Sequence, residues 1–426
     1  MGIALIGCGT VGTGVVRILQ SEIAAIQAKT GIRLELKAVC VRNPRKKRAV
    51  RLPARLLTTD PHAILRDPSI DIVVELIGGI APARDLILEA FRHGKHVVTA
   101  NKALLAEAAT AIYGEAAKHR RLLGIEASVC GGIPIIRSLR EGLTSNNISH
   151  FMGIVNGTCN YILSAMSRQN SDFTDALADA QSMGYAEQDP SLDIDGIDSA
   201  HKLAVLARLA FRSEVPFDRI PVEGIRSLSA VDMQYASELG YAIKLLAIGK
   251  RDGKGLDLRV HPTLLPKDHP LSNVHGVYNA VFMHGDHTGD LLFYGKGAGM
   301  LPTASAVMSD IIAIAKAVAA QSWTMEPAPE DLPKLPVLPA DRIASRYYLR
   351  FQVADRPGVL GNIARTLGQH DISILSVQQK GTHGGRSVPV IILTYTAREA
   401  DLRAALRQID RRPDVRQRTV VLRVDG

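Results

Sequence analysis

Short apolar runs alternate with longer amphipathic stretches over the first 125 residues of the chain. The runs are rich in β-branched residues and have the length of strands, whereas the stretches between them have the length of helices. The predicted strands are residues 3–6, 34–41, 72–75, 96–99 and 121–126, and the predicted helices are residues 11–29, 61–66, 82–93 and 102–119. This alternation predicts a parallel sheet with helices on both faces, which is an α/β fold.

The middle of the chain follows a less regular pattern. Its predicted helices are residues 175–183, 195–211 and 303–320, and its strand-like pieces are residues 242–250 and 281–284. Residues 326–341 then hold five prolines, a density typical of an extended and semi-rigid spacer. We expect this linker to let the C-terminal segment sit apart from the rest of the protein.

The C-terminal segment, residues 346–426, has a pattern of its own. Its predicted elements are strands 347–353, 373–379, 388–395 and 416–423, helices 358–370 and 398–409, and a glycine-rich turn at 381–385. The order βαββαβ is that of a ferredoxin-like unit.

Composition bounds the class of protein. The chain has 426 residues, enough for two or three domains, and its 46% hydrophobic and 22% charged residues exclude a largely disordered protein. Aromatic residues make up only 4%, which argues against a platform that stacks single-stranded bases. The net charge of +9 suits nucleic acid or small anionic ligands equally well.

Cysteine usage and the apolar runs indicate the compartment. Four cysteines lack the spacing of disulfide frameworks or zinc sites, which favours reduced thiols. We find no secretory signal and no unbroken apolar run of about 18 residues, so we expect a cytoplasmic protein without a membrane segment.

The first candidate site is a glycine-rich turn after the first predicted strand. Gly7, Gly9 and Gly12, with Thr10 and Val11 between them, match the pattern G-x-G-x-x-G before a helix. Glycines let the backbone approach a pyrophosphate, whose charge is stabilised by the helix N-terminus. This turn therefore predicts a dinucleotide site.

The end of the second predicted strand bears on the choice of cofactor. An acidic residue there would bind the ribose 2′-hydroxyl of NAD, but Val41 is followed by Arg42 and further basic residues. A 2′-phosphate suits such a cluster, so we expect NADP, with NAD still possible. A solvated basic loop and a nucleic-acid patch are the alternative interpretations.

Two lysines are candidates for catalysis. Lys102 follows an apolar strand, and ligands of open parallel sheets bind beyond the carboxyl ends of the strands. The preceding Asn101 is either part of the site or a helix cap. Lys202 lies four residues after Asp198 in a helix that is apolar on all sides, so the two share a face. Such a pair is a structural ion pair or an acid/base group.

Three weaker candidates have ordinary interpretations. The acidic residues upstream of Lys202 do not follow calcium-loop spacing. Residues 284–287 contain two histidines, which suits a solvated loop better than a transition-metal site. Cys159 has no histidine beside it in sequence and is interpreted as a small buried thiol rather than a nucleophile.

At this point the chain closely resembles the homoserine dehydrogenases, in the long form with a C-terminal ACT domain. The motifs that carry the resemblance occur in the family's order and are GCGTVGTGV, TANKALL, EASVCGGIPII, NGTCNYIL, GYAEQDPSLDIDGIDSAHKLAVLA and YGKGAGMLPTASAV. The ACT resemblance depends on the DRPGVL segment at residues 355–360. The resemblance implies reversible NAD(P)H-dependent reduction of L-aspartate 4-semialdehyde to L-homoserine, in threonine and methionine biosynthesis.

The resemblance also implies roles for individual residues. Lys202 would give a proton to the aldehyde oxygen, Lys102 would assist, and Asp198 would order Lys202. The substrate would be bound by Glu187 at its ammonium group and by Asp193, with Tyr185 and Thr158 as further contacts. Gly297 would close over the nicotinamide.

A cation site and an effector site follow from the resemblance as well. Glu126 and the carbonyls of Val129, Gly131 and Ile133 would hold a monovalent cation, which we expect to be sodium. Asp355, Pro357 and Gly358 would form the effector turn, with threonine as the expected effector. We expect a homodimer or homotetramer.

The resulting domain prediction has four parts. Residues 1–132, completed by helix 303–320, form a Rossmann-type NAD(P)-binding domain, and residues 133–302 form an α+β catalytic and dimerisation domain. Residues 326–341 are the linker, and residues 346–426 form the ferredoxin-like ACT domain. The alternatives are a phosphorylating semialdehyde dehydrogenase, which needs a catalytic thiolate, and a catalytically silent amino-acid sensor.

Overall fold

The computed structural model describes residues 1–321, 332–380 and 387–425. The chain forms two compact units. Unit 1 comprises Met1–Phe151, Ala200–Asp218 and Tyr278–Leu335, and unit 2 comprises Met152–Ser199, Arg219–Val277 and Pro336–Gly426. The domain boundaries stated above stay a prediction.

The helices and strands alternate through the first half of the chain. Up to residue 211 they are β1 (Gly2–Ile6), α1 (Thr10–Thr30), β2 (Glu35–Cys40), β3 (Leu57–Thr58), α2 (Pro61–Arg66), β4 (Ile72–Glu75), α3 (Ala81–Arg92), β5 (His96–Thr99), α4 (Lys102–Glu107), α5 (Ala109–Lys118), β6 (Leu123–Gly124), α6 (Ile135–Arg137), β7 (Ile148–Ile154), α7 (Gly157–Gln169), α8 (Phe173–Ser182), α9 (Ser191–Ile194) and α10 (Ile197–Phe211).

Long strands dominate the second half. Its elements are α11 (Ala230–Glu238), β8 (Tyr241–Asp252), β9 (Gly255–Pro266), β10 (Tyr278–Gly285), β11 (Gly289–Lys296), α12 (Met300–Ala319), β12 (Ala344–Val353), α13 (Val359–Gln369), β13 (Ile374–Gln379), β14 (Val388–Thr394), β15 (Ala397–Arg398), α14 (Glu399–Ile409) and β16 (Val420–Val424).

A six-stranded parallel sheet forms the centre of unit 1, in the order β3-β2-β1-β4-β5-β6. One face packs against α1 and α12, and the other packs against α2, α3 and α5. The strand order reverses between β1 and β4, and such a reversal is where open α/β sheets bind ligands. The predicted α/β fold is confirmed, and β4 and β5 have the predicted bounds.

Two predicted elements among residues 1–126 are broken or much shorter in the structure, and strand β3 was not predicted. The helix expected over 102–119 is interrupted at Ala108, whose backbone (φ −126°, ψ 22°) is not helical, and no Gly or Pro marks this break. The strand expected over 121–126 is only Leu123–Gly124. Its end turns away because the amide of Glu126 donates to the Asp310 carboxylate (2.8 Å) instead of to a neighbouring strand.

Helix α12 is the one helix among the described residues whose length and hydropathy would suit a membrane span. Half of its apolar stretch is buried inside the protein, and the helix packs against α1 in the core of unit 1. Its buried face also carries Asp310. A buried core helix that is apolar on several sides can have the same length and hydropathy as a membrane span.

In unit 2, the second half of β7 is the first strand of a sheet with the order β7-β8-β9-β16-β12-β14-β13. The elements β12, α13, β13, β14, α14 and β16 form the predicted βαββαβ unit, which is called the C-terminal module from here on. Its strand order, β16-β12-β14-β13, is ferredoxin-like, so that prediction is confirmed. The glycine-rich turn predicted at 381–385 lies outside the described residues.

The expectation that the C-terminal module sits apart from the rest of the protein is wrong, because the module pairs with another strand of unit 2. Strand β16 pairs in parallel with β9, with Arg423 opposite Thr263. The last part of the predicted linker also bonds to β9, because Leu256 donates to Pro336 (2.9 Å) and accepts from Leu338 (2.8 Å). The edge of β9 offers backbone groups that need partners, and the module supplies them. Residues 322–331 of the linker region lie outside the described residues.

Candidate active site

The glycine-rich turn between β1 and α1 is shaped by its backbone. Gly7 has a φ of +106°, and a Cβ on it would lie 2.8 Å from the carbonyl of Leu76. A Cβ on Gly12 would lie 2.6 Å from the carbonyl oxygen of Gly7. These two glycines are therefore needed for the turn and for the close packing of α1 on the sheet.

Gly9 has a different role in the same turn. A Cβ on Gly9 would meet no atom within 4 Å, so the protein's own packing does not require a glycine there. Gly9 is the N-cap of α1, no side chain caps the helix, and the first turn holds no acidic residue. Thr10 and Val11 begin the helix at this end. This open helix N-terminus fits the pyrophosphate of a dinucleotide, since both Gly9 and the helix dipole accommodate an anion.

The basic loop after β2 divides into organising and exposed residues. The guanidinium of Arg48 donates to the carbonyls of Asn43 (2.7 Å) and Lys46 (2.8 Å), so this arginine stabilises the loop itself. Arg42 directly follows the buried Val41 and is exposed. Arg42 therefore lies at the exposed start of the loop, whereas Arg48 organises the loop.

A hydrogen-bonded chain of side chains leads to Lys102. The buried carboxylate of Glu75 accepts from Thr99 (2.6 Å), whose hydroxyl accepts from the amide of Asn101 (3.0 Å). The Asn101 side chain accepts from the amide of Leu104, so it caps α4, and it donates to Gly79 (2.6 Å). Lys102 is the first residue of α4. The capping role of Asn101 is confirmed. Sequence reasoning missed Glu75, although a carboxylate at the end of an apolar strand was a usable signal.

Lys202 and Asp198 lie on α10, one helical turn apart, as predicted. Asp198 is buried and Lys202 is half-buried. His201, between them, contacts Glu107 (3.5 Å) and stacks on Phe217 (4.6 Å between ring centroids). Most other positions of α10 are apolar and buried, so the helix holds these polar side chains on a rigid element.

Asn156 joins two of the predicted carboxylates in unit 2. Its side-chain amide donates to Asp193 (2.7 Å) and to Asp198 (2.8 Å), and its oxygen accepts from the amide of Cys159 (2.8 Å). The residue is only 5% exposed. One side chain therefore caps α7 and holds two carboxylates together. Asn156 opens the NGTCNYIL motif, but its role was missed because its partners lie far away in sequence.

The remaining predicted substrate contacts lie near the start of α9 and α7. Glu187 is exposed, and Tyr185 is 42% exposed with its ring against Tyr161 (4.9 Å). The hydroxyl of Thr158 donates to the carbonyl of Tyr185 (2.7 Å), so Thr158 holds the Tyr185 segment. The other two acidic residues of this region, Asp189 and Asp195, bond to Ser191 and Arg226.

The predicted cation loop lies in unit 1 and is tightly turned. Cys130 and Gly131 have consecutive positive φ values of 53° and 32°. The buried carboxylate of Glu126 accepts from the amides of Ile136 (3.0 Å) and Arg137 (2.8 Å). Burial raises the pKa of Glu126, and burial likewise raises the pKa of the neighbouring Asp310 to about 7.

The oxygens of this loop keep the capacity to bind a cation. The Ile133 carbonyl accepts one hydrogen bond, from the amide of Ile135 (2.8 Å), and each Glu126 oxygen also accepts one. Carbonyl and carboxylate oxygens have two lone pairs, so a second interaction remains open to them. Together with the carbonyls of Val129 and Gly131, this oxygen donor set fits a hard cation of low charge. Among the described residues, no cluster of three His, Cys, Asp or Glu side chains that could hold a metal is present.

Gly297 packs against this loop. A Cβ on Gly297 would lie 2.0 Å from the side-chain nitrogen of Asn279, and a Cβ on Gly131 would lie 2.7 Å from the Gly297 carbonyl. Gly132 also donates to the carbonyl of Lys296 (3.0 Å). The Gly297 segment and the predicted cation loop thus hold each other in place by backbone contact.

The predicted effector turn precedes α13 in unit 2. Asp355, Pro357 and Gly358 are all exposed. Gly358 is the N-cap of α13, with a φ of +87°, and a Cβ on it would meet no atom within 4 Å. The turn therefore leaves room for a small ligand at the helix N-terminus.

The weaker candidates have structural roles. His284 contacts Asp290 (2.7 Å) and stacks on His150, and Asp286 binds Asn147 (2.7 Å). Cys159 is fully buried, and its thiol donates to the carbonyl of Asp193 (3.1 Å). A thiol in this position is not accessible as an acyl carrier, so the structure does not support a phosphorylating semialdehyde dehydrogenase.

The parallel sheet with its open helix N-terminus defines a nucleotide-binding α/β domain, and the C-terminal module is a separate ferredoxin-like fold. Profile comparison agrees: residues 7–125 match the NAD binding domain of homoserine dehydrogenase, residues 134–312 match homoserine dehydrogenase, and residues 347–414 match the ACT domain. The chain belongs to the homoserine dehydrogenase family.

Individual relatives support this assignment over the full length. The homoserine dehydrogenase of Synechocystis is 47% identical over 434 residues, covering 99% of both chains, and that of Neisseria gonorrhoeae is 42% identical, covering 100% of this chain and 98% of the relative. The crystal structure of a homoserine dehydrogenase from Thiobacillus denitrificans superposes with a TM-score of 0.94 at 43% identity, covering 100% of this chain and 98% of that one. The alternative of a catalytically silent sensor is not supported.

Proposed function

We propose that the chain interconverts L-aspartate 4-semialdehyde and L-homoserine with NADP(H), and that the predicted residues perform this reaction. The observation that carries the assignment of the substrate residues is the Asn156 bridge between Asp193 and Asp198. Two carboxylates held by one buried amide are pre-oriented, so they can bind a polar substrate without reorganising.

The lysines and carboxylates then have separate tasks. Lys202 donates a proton to the aldehyde oxygen during reduction, and Asp198, one turn before it on α10, orders its ammonium group. Lys102 assists from the start of α4, where the Glu75–Thr99–Asn101 chain holds the backbone. Glu187 binds the substrate ammonium and Asp193 orients the substrate. Tyr185 and Thr158 complete this binding set.

The nucleotide would be held by residues of unit 1 and would supply the hydride. Gly7, Gly9 and Gly12, with Thr10 and Val11 at the start of α1, would bind the pyrophosphate at the helix N-terminus. Gly297 would contact the nicotinamide side. The exposed Arg42 supports a preference for NADP over NAD, because only NADP has a 2′-phosphate.

The experiment that tests the catalytic assignment is Lys202→Ala with Lys254→Ala as a control, since Lys254 is an exposed lysine in the β8–β9 turn. Lys202→Ala should lower kcat for homoserine oxidation by roughly 10²–10⁴, the usual range for a positioned proton donor. NADPH binding, measured by fluorescence titration, should persist. Unchanged turnover in a folded Lys202→Ala protein would overturn the assignment.

We further propose that Glu126 and the carbonyls of Val129, Gly131 and Ile133 bind sodium. The second lone pairs of these oxygens support the proposal, as does the contact of the loop with the Gly297 segment. A bound cation would stabilise that segment and so favour nucleotide binding.

Regulation by threonine through the C-terminal module is also a proposal. The open, positive-φ Gly358 at the N-terminus of α13 supports a site for an amino-acid carboxylate, with Asp355 and Pro357 beside it.

Truncation before the module would expose the edge of β9, so a point variant is the better test. Threonine should bind the wild-type protein in calorimetry and change its rate. Asp355→Ala should weaken both effects, whereas Asp341→Ala, an exposed control, should not. Neither binding nor a rate change in the wild type would refute the proposal.

The predicted assembly, compartment and boundaries complete the proposed function. Leu292 and Tyr294 of β11 are 45% and 53% exposed, which supports a homodimer or homotetramer built on an apolar sheet face. The four cysteines, all among the described residues, form no disulfide, which supports a reducing, cytoplasmic environment. We keep 1–132, 133–302, 326–341 and 346–426 as the functional divisions, with α12 completing the first.

A further inference from the structure

Residues 221–226, called the strap from here on, lie in unit 2 between the C-terminal module and the helix that carries Asp193. None of the motifs that define the site includes them. The first half of the strap is held on β9: Glu223 donates to the carbonyl of Val260 (2.8 Å), and Val260 donates to that of Pro221 (2.9 Å). Val222 and Val260 form a parallel bridge. The first half of the strap is therefore joined to strand β9 by an isolated β-bridge.

The second half of the strap is held on α9. Ile225 donates to the carbonyl of Ile194 (2.8 Å). Arg226 donates to the hydroxyl of Ser191 (3.1 Å) and to the carboxylate of Asp195 (3.1 Å). Residues on both sides of Asp193 are thus fastened to the strap. The Asp193 carboxylate itself faces the amide of Asn156 (2.7 Å).

Gly224 packs directly against the backbone at the end of α9. A Cβ at this position would lie 2.2 Å from the carbonyl oxygen of Ile194 and 2.6 Å from the Cα of Asp195. Both neighbours are backbone atoms, which cannot move aside by changing a rotamer. A displacement of the strap therefore displaces α9.

The C-terminal module holds the strap at Glu223. The guanidinium of Arg423, on β16, donates to both carboxylate oxygens of Glu223 (2.9 Å each). The same guanidinium donates to the buried Glu399 (2.8 Å), which also accepts from the hydroxyl of Tyr347 (2.9 Å). Arg423 is buried and binds Glu223 through two parallel hydrogen bonds, so the contact is directional, although the Glu223 side chain is 46% exposed and solvent partly screens its charge.

We propose that the strap is a positioning element for Asp193 and that the Arg423–Glu223 pair makes the C-terminal module its support. This inference relies on the proposed role of Asp193 in substrate binding. It assigns the module a role in substrate affinity even without an effector. It also identifies Glu223 as the point at which a ligand of the module would act on the substrate residues.

The test is Glu223→Ala, compared with Asp401→Ala. Asp401 accepts two bonds from Arg398 (2.8 and 3.2 Å), so it is an arginine–carboxylate pair in the same module. Its arginine is exposed, and neither residue is hydrogen-bonded to the strap among the described residues. Glu223→Ala should raise the KM for homoserine roughly tenfold, the effect of losing one charge-assisted hydrogen-bonded support. The kcat and the KM for NADP should change less than twofold, and Glu223→Gln should restore part of the affinity because it keeps one acceptor.

A second measurement does not depend on activity. Amide hydrogen exchange of residues 191–196 should become faster in Glu223→Ala, while exchange in α8 and exchange in Asp401→Ala should match the wild type. Gly224→Ala should give the same pattern.

The outcomes separate this inference from the proposed function. Unchanged exchange at 191–196 in Glu223→Ala overturns the role of the strap, whether or not the enzyme is active on homoserine. Equal changes in both KM values and in kcat also overturn it, because they indicate a general loss of structure. If exchange at 191–196 is faster in Glu223→Ala but the KM for homoserine is unchanged in Asp193→Asn, the role of the strap is supported and the proposed role of Asp193 is refuted.

Discussion

The nucleotide turn of unit 1 and the acidic cluster of unit 2 prepare their ligand sites by different means. The turn uses backbone: Gly7 and Gly12 are needed for shape, and Gly9 leaves open space at the N-terminus of α1. The acidic cluster uses side chains, with Asn156 donating to Asp193 and Asp198. A backbone site leaves a local glycine pattern, whereas a side-chain network depends on partners from distant parts of the chain.

Among the changes that test this contrast, the largest effect should come from filling the space at Gly9. Gly9→Val places side-chain atoms where the pyrophosphate is expected, so NADPH affinity should fall by roughly 100-fold, equivalent to losing two charge-assisted hydrogen bonds. The melting temperature should hardly change, because no protein atom lies within 4 Å of the new Cβ.

The matched controls are two other glycines. Gly142→Ala also meets no atom within 4 Å but lies away from the turn, so it should change neither property. Gly12→Ala should lower the melting temperature, because its Cβ would approach the Gly7 carbonyl to 2.6 Å. Normal NADPH affinity in Gly9→Val would show that the turn is structural only.

A smaller effect should follow from changing one atom of the side-chain network. Asn156→Asp keeps the oxygen that caps α7 but replaces the amide donor with an acceptor facing two carboxylates. The KM for homoserine should rise roughly 10- to 100-fold, the cost of about 1–3 kcal/mol for an unsatisfied buried group. The KM for NADP should remain within twofold, as initial rates over both substrates would show.

Asn156→Ser serves as the control for this prediction. Serine can cap α7 but is too short to bridge the carboxylates, so it should raise the KM without adding charge. If Asn156→Asp raised both KM values equally, the proposed difference between the two sites would be refuted, because the network would then stabilise the fold and not bind the substrate.

The smallest effect is expected at Arg42, where a side chain adds to the backbone site. Arg42→Ala should raise the KM for NADP roughly tenfold and leave that for NAD nearly unchanged, because only NADP loses a partner for its 2′-phosphate. Arg48→Ala should affect both cofactors, since Arg48 organises the loop through carbonyls. Equal changes for both cofactors in Arg42→Ala would mean that Arg42 is structural.

The same contrast explains which parts of the fold could be predicted. Strands β4 and β5 and helix α2 have the predicted bounds because each is set by a compact local pattern. The break at Ala108 and the turn at Glu126 were missed. Neither is marked by a residue type: one is an interruption without Gly or Pro, and the other depends on Asp310, which lies 184 residues away.

Local patterns in the chain were enough to predict the α/β alternation, the ferredoxin-like order of the C-terminal module and the nucleotide turn, because periodicity and glycine spacing act over a few neighbouring residues. The family could be predicted from contiguous motifs. The folded structure was needed to show that β16 pairs with β9, that Asn156 binds carboxylates 37 and 42 residues away, and that the strap joins Arg423 to the helix of Asp193. These pairings depend on which buried polar groups and sheet edges meet when the chain folds, and no local pattern encodes that choice.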